Sequence, residues 1–410
     1  LLKRFNFNSF AAAIGEKMNK YIFPLTLGGL GIGTTEFVIM GLLPDVAASF
    51  AVSIPKAGYL ISAYALGVVV GAPLLVGIST KYNPKKTLLA LMAIFTLFNA
   101  LSGLAPNFNS LMVLRFLSGL PHGAFFGIGA VVASQLAREG KQAQSISMMF
   151  LGLTVANLAM VPLVTLIGQA MSWRFAFGIV GIIGAITMFF IHKWLPDQQV
   201  SENSSVKEEL QFFKSGKAWL ILLITAVGFG GLFAWFSYVA PLSIHVSRFS
   251  PSFVPYIMLL AGFGMVVGNI LGGIMADKIR PDKAAILLFL LQVIILLAVF
   301  FFSDNQYFSL VLTFLCGLLA MAVSSPINML MISTAKDSAR MGAAFMQAAF
   351  NVANSLGAYF GGLPLAHGLG FNYPSLAGAL MALGGLGLSV FFMLKYKSAD
   401  EASPVRMVLH

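Results

Sequence analysis

GGIMADKIRPDK, Gly272 to Lys283, is a short polar break between two long apolar runs, and GISTKYNPKKT, Gly77 to Thr87, occupies the corresponding place earlier in the chain. Gly273 and Gly77 are 196 residues apart (273 − 77), and Pro241 and Pro44, each ending the first apolar run of its half, are 197 apart (241 − 44). Two landmarks of different kind whose offsets agree within one residue indicate an internal duplication. The copies differ in the sign of a charge: Asp277 stands where the first copy has Lys81.

Composition sets the class. Of 410 residues, 58% are hydrophobic and 10% charged, against roughly one quarter charged in soluble domains. The 41 glycines lie mostly inside apolar segments, where small residues let helix backbones approach closely. A membrane barrel would instead alternate apolar and polar residues in segments of about ten. The expected fold is therefore an all-α polytopic membrane protein.

A spanning helix needs about twenty apolar residues. Twelve runs qualify, near 21–43, 54–78, 86–105, 110–137, 144–168 and 173–195, then 218–242, 252–276, 283–303, 307–333, 342–364 and 373–396. They are numbered below as spans 1 to 12. The polar stretch at 196–217 reads as a linker between two six-helix bundles, 21–195 and 218–396, with a tail at 397–410. Residues 1–20 read as an extension ahead of the first span, with Met18 as the expected natural start; asparagines interrupt the apolar run that a signal peptide would need.

Lysine and arginine give the orientation, because cytoplasmic loops hold their excess. With the N-terminus inside, only Lys56, Arg174 and Arg248 fall in outside segments. Both termini are thus expected in the cytoplasm. The net charge of +11 is mostly this bias and makes no separate case for nucleic-acid binding. The lone cysteine, Cys316, lies in span 10 and cannot form an internal disulfide.

Ionisable groups inside spans are costly, about 2.5–3.5 kcal/mol or more at the bilayer centre, so those retained are functional candidates. Glu36 in span 1 and Arg115 in span 4 stand out, each predicted roughly 7–10 Å inside the same half of the membrane. They are expected to face one water-filled cavity and to interact directly or through water. Burial and a neighbouring guanidinium act in opposite senses on a carboxyl group's proton affinity. Glu36, if its exposure and its distance from Arg115 change between two states, can therefore load and release a proton. Arginine suits the fixed partner because it does not deprotonate. The alternative is an ion pair that only packs spans 1 and 4.

Other polar positions leave two readings open. His122 shares a helical face with Ser118 and Arg115, as a proton relay or as a histidine bonded to a neighbouring helix. Gln347, Asn351 and Asn354 form one face of span 11, and Asn157 and Asn328 lie in spans 5 and 10; all five either line a solute cavity or join helices by hydrogen bonds. Trp235 and Tyr238, in FAWFSY of span 7, either line an adaptable pocket or fill the core. Pro162 bends span 5, since it lacks an N–H and its ring clashes with the preceding turn, either as a gating hinge or as a fixed kink.

Parallel six-helix repeats with a solute site between the halves are a transporter architecture. Over nearly its whole length the chain resembles the major facilitator superfamily. Gly273, Asp277 and Lys278 fit that family's G-x-x-x-D-[RK] loop signature, whereas the first loop keeps only Gly77 and the basic pair Lys85 and Lys86. GTTEFVIMGLLPDVA, LRFLSGLPHGAFFG, GLTVANLAMVP, SWRFAF and QAAFNVANSLGAYFGG add a resemblance to its twelve-span drug:proton antiporter group and, within it, to arabinose-efflux-like permeases. The resemblance implies that Arg115, matching the span 4 arginine of antiporters, takes part in proton coupling. It also implies a gate in which the first-loop carboxylate meets the positive end of span 11. Lys81 reverses that sign. The gate is therefore expected to be one-sided, with Asp277 near Ser145 at the start of span 5, and with Lys81, Lys85 and Lys86 facing water or anionic headgroups. Alternatively, the first loop is simply a positive anchor. Span 5 also departs from the antiporter motif, with Ala159 and Val161 in place of glycines.

The resulting expectation is a secondary transporter of the inner membrane that exports a small organic solute, drug or sugar, in exchange for protons by alternating access. Uptake of a small solute, or a non-transporting receptor, are the alternatives. No G-x-x-x-x-G-K-[ST], H-E-x-x-H or G-x-S-x-G occurs, so neither a nucleotide-driven pump nor an enzyme is expected. No cofactor or metal is implied. The expected partners are the solute, protons and the bilayer, and the chain is expected to act as a monomer.

Overall fold

The computed structural model of the chain describes residues 20–79, 81–138, 142–198, 211–335 and 338–401. The first half contains α1 (Phe23–Gly41), a short α2 (Leu43–Ser49), α3 (Ile54–Ser79), α4 (Pro84–Gly103), α5 (Phe108–Gln135), α6 (Gln142–Val155), α7 (Val161–Ala170) and α8 (Trp173–Trp194). The second contains α9 (Gly216–Ile224), α10 (Gly230–Ser237), a short α11 (Val239–His245), α12 (Val254–Lys278), α13 (Pro281–Phe302), α14 (Gln306–Thr334), α15 (Ala339–Ala366) and α16 (Tyr373–Glu401). A π turn at Ala156–Met160 joins α6 to α7, and another at Thr225–Phe229 joins α9 to α10.

Helix boundaries follow local chemistry. Asn83 accepts from the amides of Lys85 and Lys86 at the start of α4, Asn107 and Ser110 form a capping box on α5, and Ser172 caps α8. Each satisfies amides that the first turn leaves without helical partners. Pro162 lies in the first turn of α7, directly after the π turn. The bend expected there therefore takes the form of a π turn ahead of the proline, which shifts the hydrogen-bond register where an N–H is missing.

Among the described residues, eleven helical segments have the length and apolarity of a membrane crossing. The segment expected as span 11 is α15, which is long enough at 28 residues but is interrupted by Gln347, Asn351 and Asn354. α16 continues to Glu401, past the boundary expected at 396. Pro44 and Pro241 do not end the first helix of each half; they sit in the first turn of the short α2 and α11 that follow.

The duplication is visible in the backbone. Ala51 (φ 50°) and Arg248 (φ 59°) are the non-glycine residues with positive φ among those described, and they are 197 apart (248 − 51). The left-handed conformation costs an L-residue about 1–2 kcal/mol, so its recurrence at one offset marks a shared turn. The α3–α5 and α12–α14 contacts repeat as well. A β-carbon on Gly67 would strike the carbonyl of Phe116, and one on Gly71 that of Leu120; Gly264 and Gly268 face Phe314 and Leu318 in the same way.

The halves meet by a reciprocal exchange. α3 packs along α15, and α12 packs on the first π turn and on α7, so the second long helix of each half meets the fifth of the other. At the first contact, Ser62 Oγ donates to the Ser355 carbonyl at 3.3 Å. At the second, Gly262 lies against the backbone carbonyl of Asn157, with no room for a β-carbon. Phe37 of α1 stacks on Phe233 of α10 with centroids 6.4 Å apart.

Candidate functional site in the first half

A chain of polar side chains runs through the interior of the first half. α1 supplies Thr35 and Glu36, α3 Tyr64, α4 Asn99, and α5 Arg115 and His122, all buried. α15 of the other half faces them with Gln347, Asn351 and Asn354.

Arg115 has no solvent exposure. Its Nη1 donates to Thr35 Oγ1 at 2.9 Å and its Nη2 to the Thr35 carbonyl at 3.1 Å. The guanidinium lies 4.3 Å from the ring centroid of Tyr64 and 5.5 Å from that of Phe177 on α8. A desolvated cation over an aromatic face gains about 2 kcal/mol, so the aromatic faces replace part of the lost hydration. Nε has no hydrogen-bond partner. Thr35 Oγ1 in turn donates to Asn99 Oδ1 at 2.5 Å, and Asn99 Nδ2 donates to the Phe95 carbonyl at 2.8 Å.

Glu36 is buried beside this chain but makes no ion pair; among the described residues the salt bridge within 4 Å is Arg280–Asp282. Arg115 acts on Glu36 through its field, and Asn354 of α15 lies next to the carboxyl, although neither atom of its amide reaches hydrogen-bond geometry. His122 Nδ1 is 3.1 Å from the Tyr64 hydroxyl. Its Nε2 has no geometric partner and faces the partly exposed Gln347. Ser118, on the same face of α5, turns back to the Arg115 carbonyl at 2.9 Å. Tyr64 thus links the arginine to the histidine, and the histidine looks across to the second half.

The remaining candidates lie elsewhere or are already bonded. Asn157 Nδ2 bonds the Leu153 carbonyl (3.1 Å), leaving Oδ1 without a partner, and Asn351 does the same with the Gln347 carbonyl (3.1 Å). Asn328 bonds the Ser324 carbonyl at 2.9 Å and is partly exposed. Tyr238 donates to the Ala358 carbonyl at 2.7 Å, with its hydroxyl wedged between Gly58 and Gly362. Trp235 is buried and stacks on Phe236 at 5.7 Å.

At the loops, Lys81 and Lys278 are exposed. Asn83 Nδ2 donates to the Gln198 carbonyl at 2.6 Å, tying the first loop to the start of the linker. The second loop contains the Arg280–Asp282 pair at 2.9 Å. The Asp277 side chain, and hence the expected clasp near Ser145, lies outside the described residues.

Sequence reasoning missed Thr35, Tyr64, Asn99 and Phe177. Asn99 was recoverable by the rule applied to Asn157, since it is an amide in a long apolar run. Thr35 was not, because a threonine in a helix is unremarkable until its partners are known.

Two sets of membrane-length helices that meet reciprocally around a buried charged cluster define a multi-pass membrane protein, and the relatives below make it a transporter. Residues 25–362 match the family described as Major Facilitator Superfamily, and the chain belongs to that family. It is 39% identical over 385 residues to "Putative transporter AraJ" of Escherichia coli (strain K12), covering 94% of this chain and 98% of that protein. It is 29% identical over 375 residues to "Probable sugar efflux transporter" of Helicobacter pylori (strain P12), covering 92% and 94%. Among solved structures, a bacterial homologue of the human lysosomal transporter Spinster, inward-facing and unoccupied, superposes with a TM-score of 0.74 at 14% identity, over 93% of this chain and 98% of that one.

Proposed function

We propose that the protein exports a small organic solute, a sugar or a drug-like molecule, in exchange for protons by alternating access. In this reading twelve spans, with α15 as the eleventh, form two bundles at 21–195 and 218–396, joined by the linker at 196–217. Both termini lie in the cytoplasm, and the protein works as a monomer in the inner membrane. The observation that carries the reading is the buried Glu36 carboxyl, held near but not against Arg115 and next to Asn354 of the other half. A change in the packing of α1 on α15 alters the surroundings of that carboxyl, so the same movement that switches access to the solute loads or releases a proton. Arg115 is the fixed positive partner, and Tyr64 and His122 extend the polar path towards Gln347.

The export direction and a sugar-like solute are supported by the likeness to the sugar efflux relative and by the antiporter motifs, and the unpartnered Asn351 Oδ1 and Asn354 amide suit a hydroxyl-bearing solute. Asn157, Asn328, Trp235 and Tyr238 complete the proposed cavity wall, and Lys81, Asp277, Lys278 and Pro162 the proposed gate. The test is a thermal-shift screen across sugars and antibiotics, followed by counterflow of each hit in proteoliposomes. Accelerated exchange of labelled for unlabelled solute is expected. A solute that binds but shows no exchange acceleration would point to a receptor.

A further inference from the structure

We infer that Asn99 and Thr35 form a positioning relay that holds the Arg115 guanidinium away from Glu36, so that the carboxyl can titrate without collapsing into a permanent ion pair; this rests on the proton-coupling reading above. The hydrogen bonds fix the direction of the relay. A guanidinium can only donate, so Thr35 Oγ1 must accept from Arg115 Nη1. Its single proton is then free for one acceptor, and Asn99 Oδ1 is 2.5 Å away. The Asn99 amide is oriented oxygen-first because its Nδ2 is held by the Phe95 carbonyl. Every step in Phe95, Asn99, Thr35 and Arg115 therefore has one polarity. The second Nη is held by the Thr35 backbone, which gives the fork two anchors on α1.

An asparagine that only satisfied itself would need no more than the bond to Phe95 on its own helix. The additional contact joins α4 to α1, two helices that share no charge. Without it, the Thr35 hydroxyl would lose the acceptor that fixes the direction of its proton, and the guanidinium would be held by a freely turning hydroxyl while Glu36 stood in the next position of α1. The titratable and charged groups around Glu36 are Arg115 from α5 and Tyr64 from α3, with His122 of α5 beyond the Tyr64 hydroxyl. Among the described residues, α4 and α15 contribute amides and α8 the Phe177 ring, so the guanidinium is the fixed charge whose position matters.

The test is an infrared pH titration of the full-length protein in lipid nanodiscs, following the carboxyl band that Glu36→Gln removes. No solute is required. Thr35→Val, which keeps the shape and the backbone carbonyl, and Asn99→Leu are each expected to move the midpoint of that band by about one pH unit. Their double variant should move it no further than either alone, and Thr35→Ser should restore it. A wild-type midpoint left unchanged by both single variants, or additive shifts in the double variant, would overturn the relay. If no titrating band is lost in Glu36→Gln, the proton-coupling reading itself fails, and the relay with it.

Discussion

The two halves share a scaffold and differ in chemistry. Gly67, Gly71 and Ala51 recur as Gly264, Gly268 and Arg248 at an offset of 197, with the same close packing or the same backbone turn. At matching positions, however, Glu36 corresponds to Phe233 and Tyr64 to Ala261, and Arg115, on a helix whose contacts with its neighbour recur at an offset of 198 (Phe116 and Phe314, Leu120 and Leu318), corresponds to Thr313. Each half also has one buried amide that reaches its first long helix. In the first half, Asn99 meets Thr35 and leads to a charge. In the second, Gln292 Nε2 donates at 2.8 Å to the Gly228 carbonyl within the π turn and leads no further. Duplication thus preserved how the helices pack, while the charge stayed in one half and the facing amides in the other. Asn157 and Asn354 are the informative exception: they are 197 apart (354 − 157), and only Asn354 lies beside Glu36.

The comparison can be broken first at the scaffold. Leucine at Gly71 or Gly268 must displace a backbone carbonyl of the neighbouring helix, a form of overpacking that costs about 3 kcal/mol or more. Both variants should lose similar amounts of thermal stability in detergent, and tolerance in one half alone would contradict the shared packing. The chemistry should behave in the opposite way. Arg115→Met is expected to lower pH-driven flux by about a hundredfold, since it removes a buried, hydrogen-bonded charge, whereas Thr313→Val, at the matching position of the second half, should change it by less than about twofold.

Smaller effects separate the two amides. Gln292→Leu leaves the Gly228 carbonyl without its side-chain donor, at a cost of about 1–2 kcal/mol, and should lower the melting temperature without altering the proton dependence of transport. Asn99→Leu should alter that dependence. The smallest effect is expected at the loops, where Lys81→Asn lies on an exposed surface and should stay within about 0.5 kcal/mol in stability, with transport nearly intact. Asp277→Asn should impair transport more, and equal effects of the two would remove the asymmetry between the loops.

Much of the fold was legible because a bilayer constrains sequence strongly: apolar length sets the spans, and a repeated glycine and proline spacing reveals the halves. Glu36 and Arg115 were found by the same logic, as charges where charge is costly. What escaped was the partner set. Nothing in the spacing of Thr35, Tyr64 and Asn99 brings them to Arg115, because three separate helices must first pack around it. Nor does sequence tell that the Tyr238 hydroxyl is bonded to Ala358 while both atoms of the Asn354 amide are left without partners. That distinction belongs to tertiary geometry, as does the π turn that replaces a simple proline kink ahead of Pro162.

The claim that Glu36 carries the coupled proton is tested most directly by comparing wild type and Glu36→Gln in proteoliposomes, with a solute identified by the binding screen. Solute counterflow at equal pH and solute accumulation driven by a pH gradient are measured on the same preparations. The account predicts that Glu36→Gln retains counterflow and loses gradient-driven accumulation. Accumulation at the wild-type level in Glu36→Gln, with the same dependence on the gradient, would contradict it.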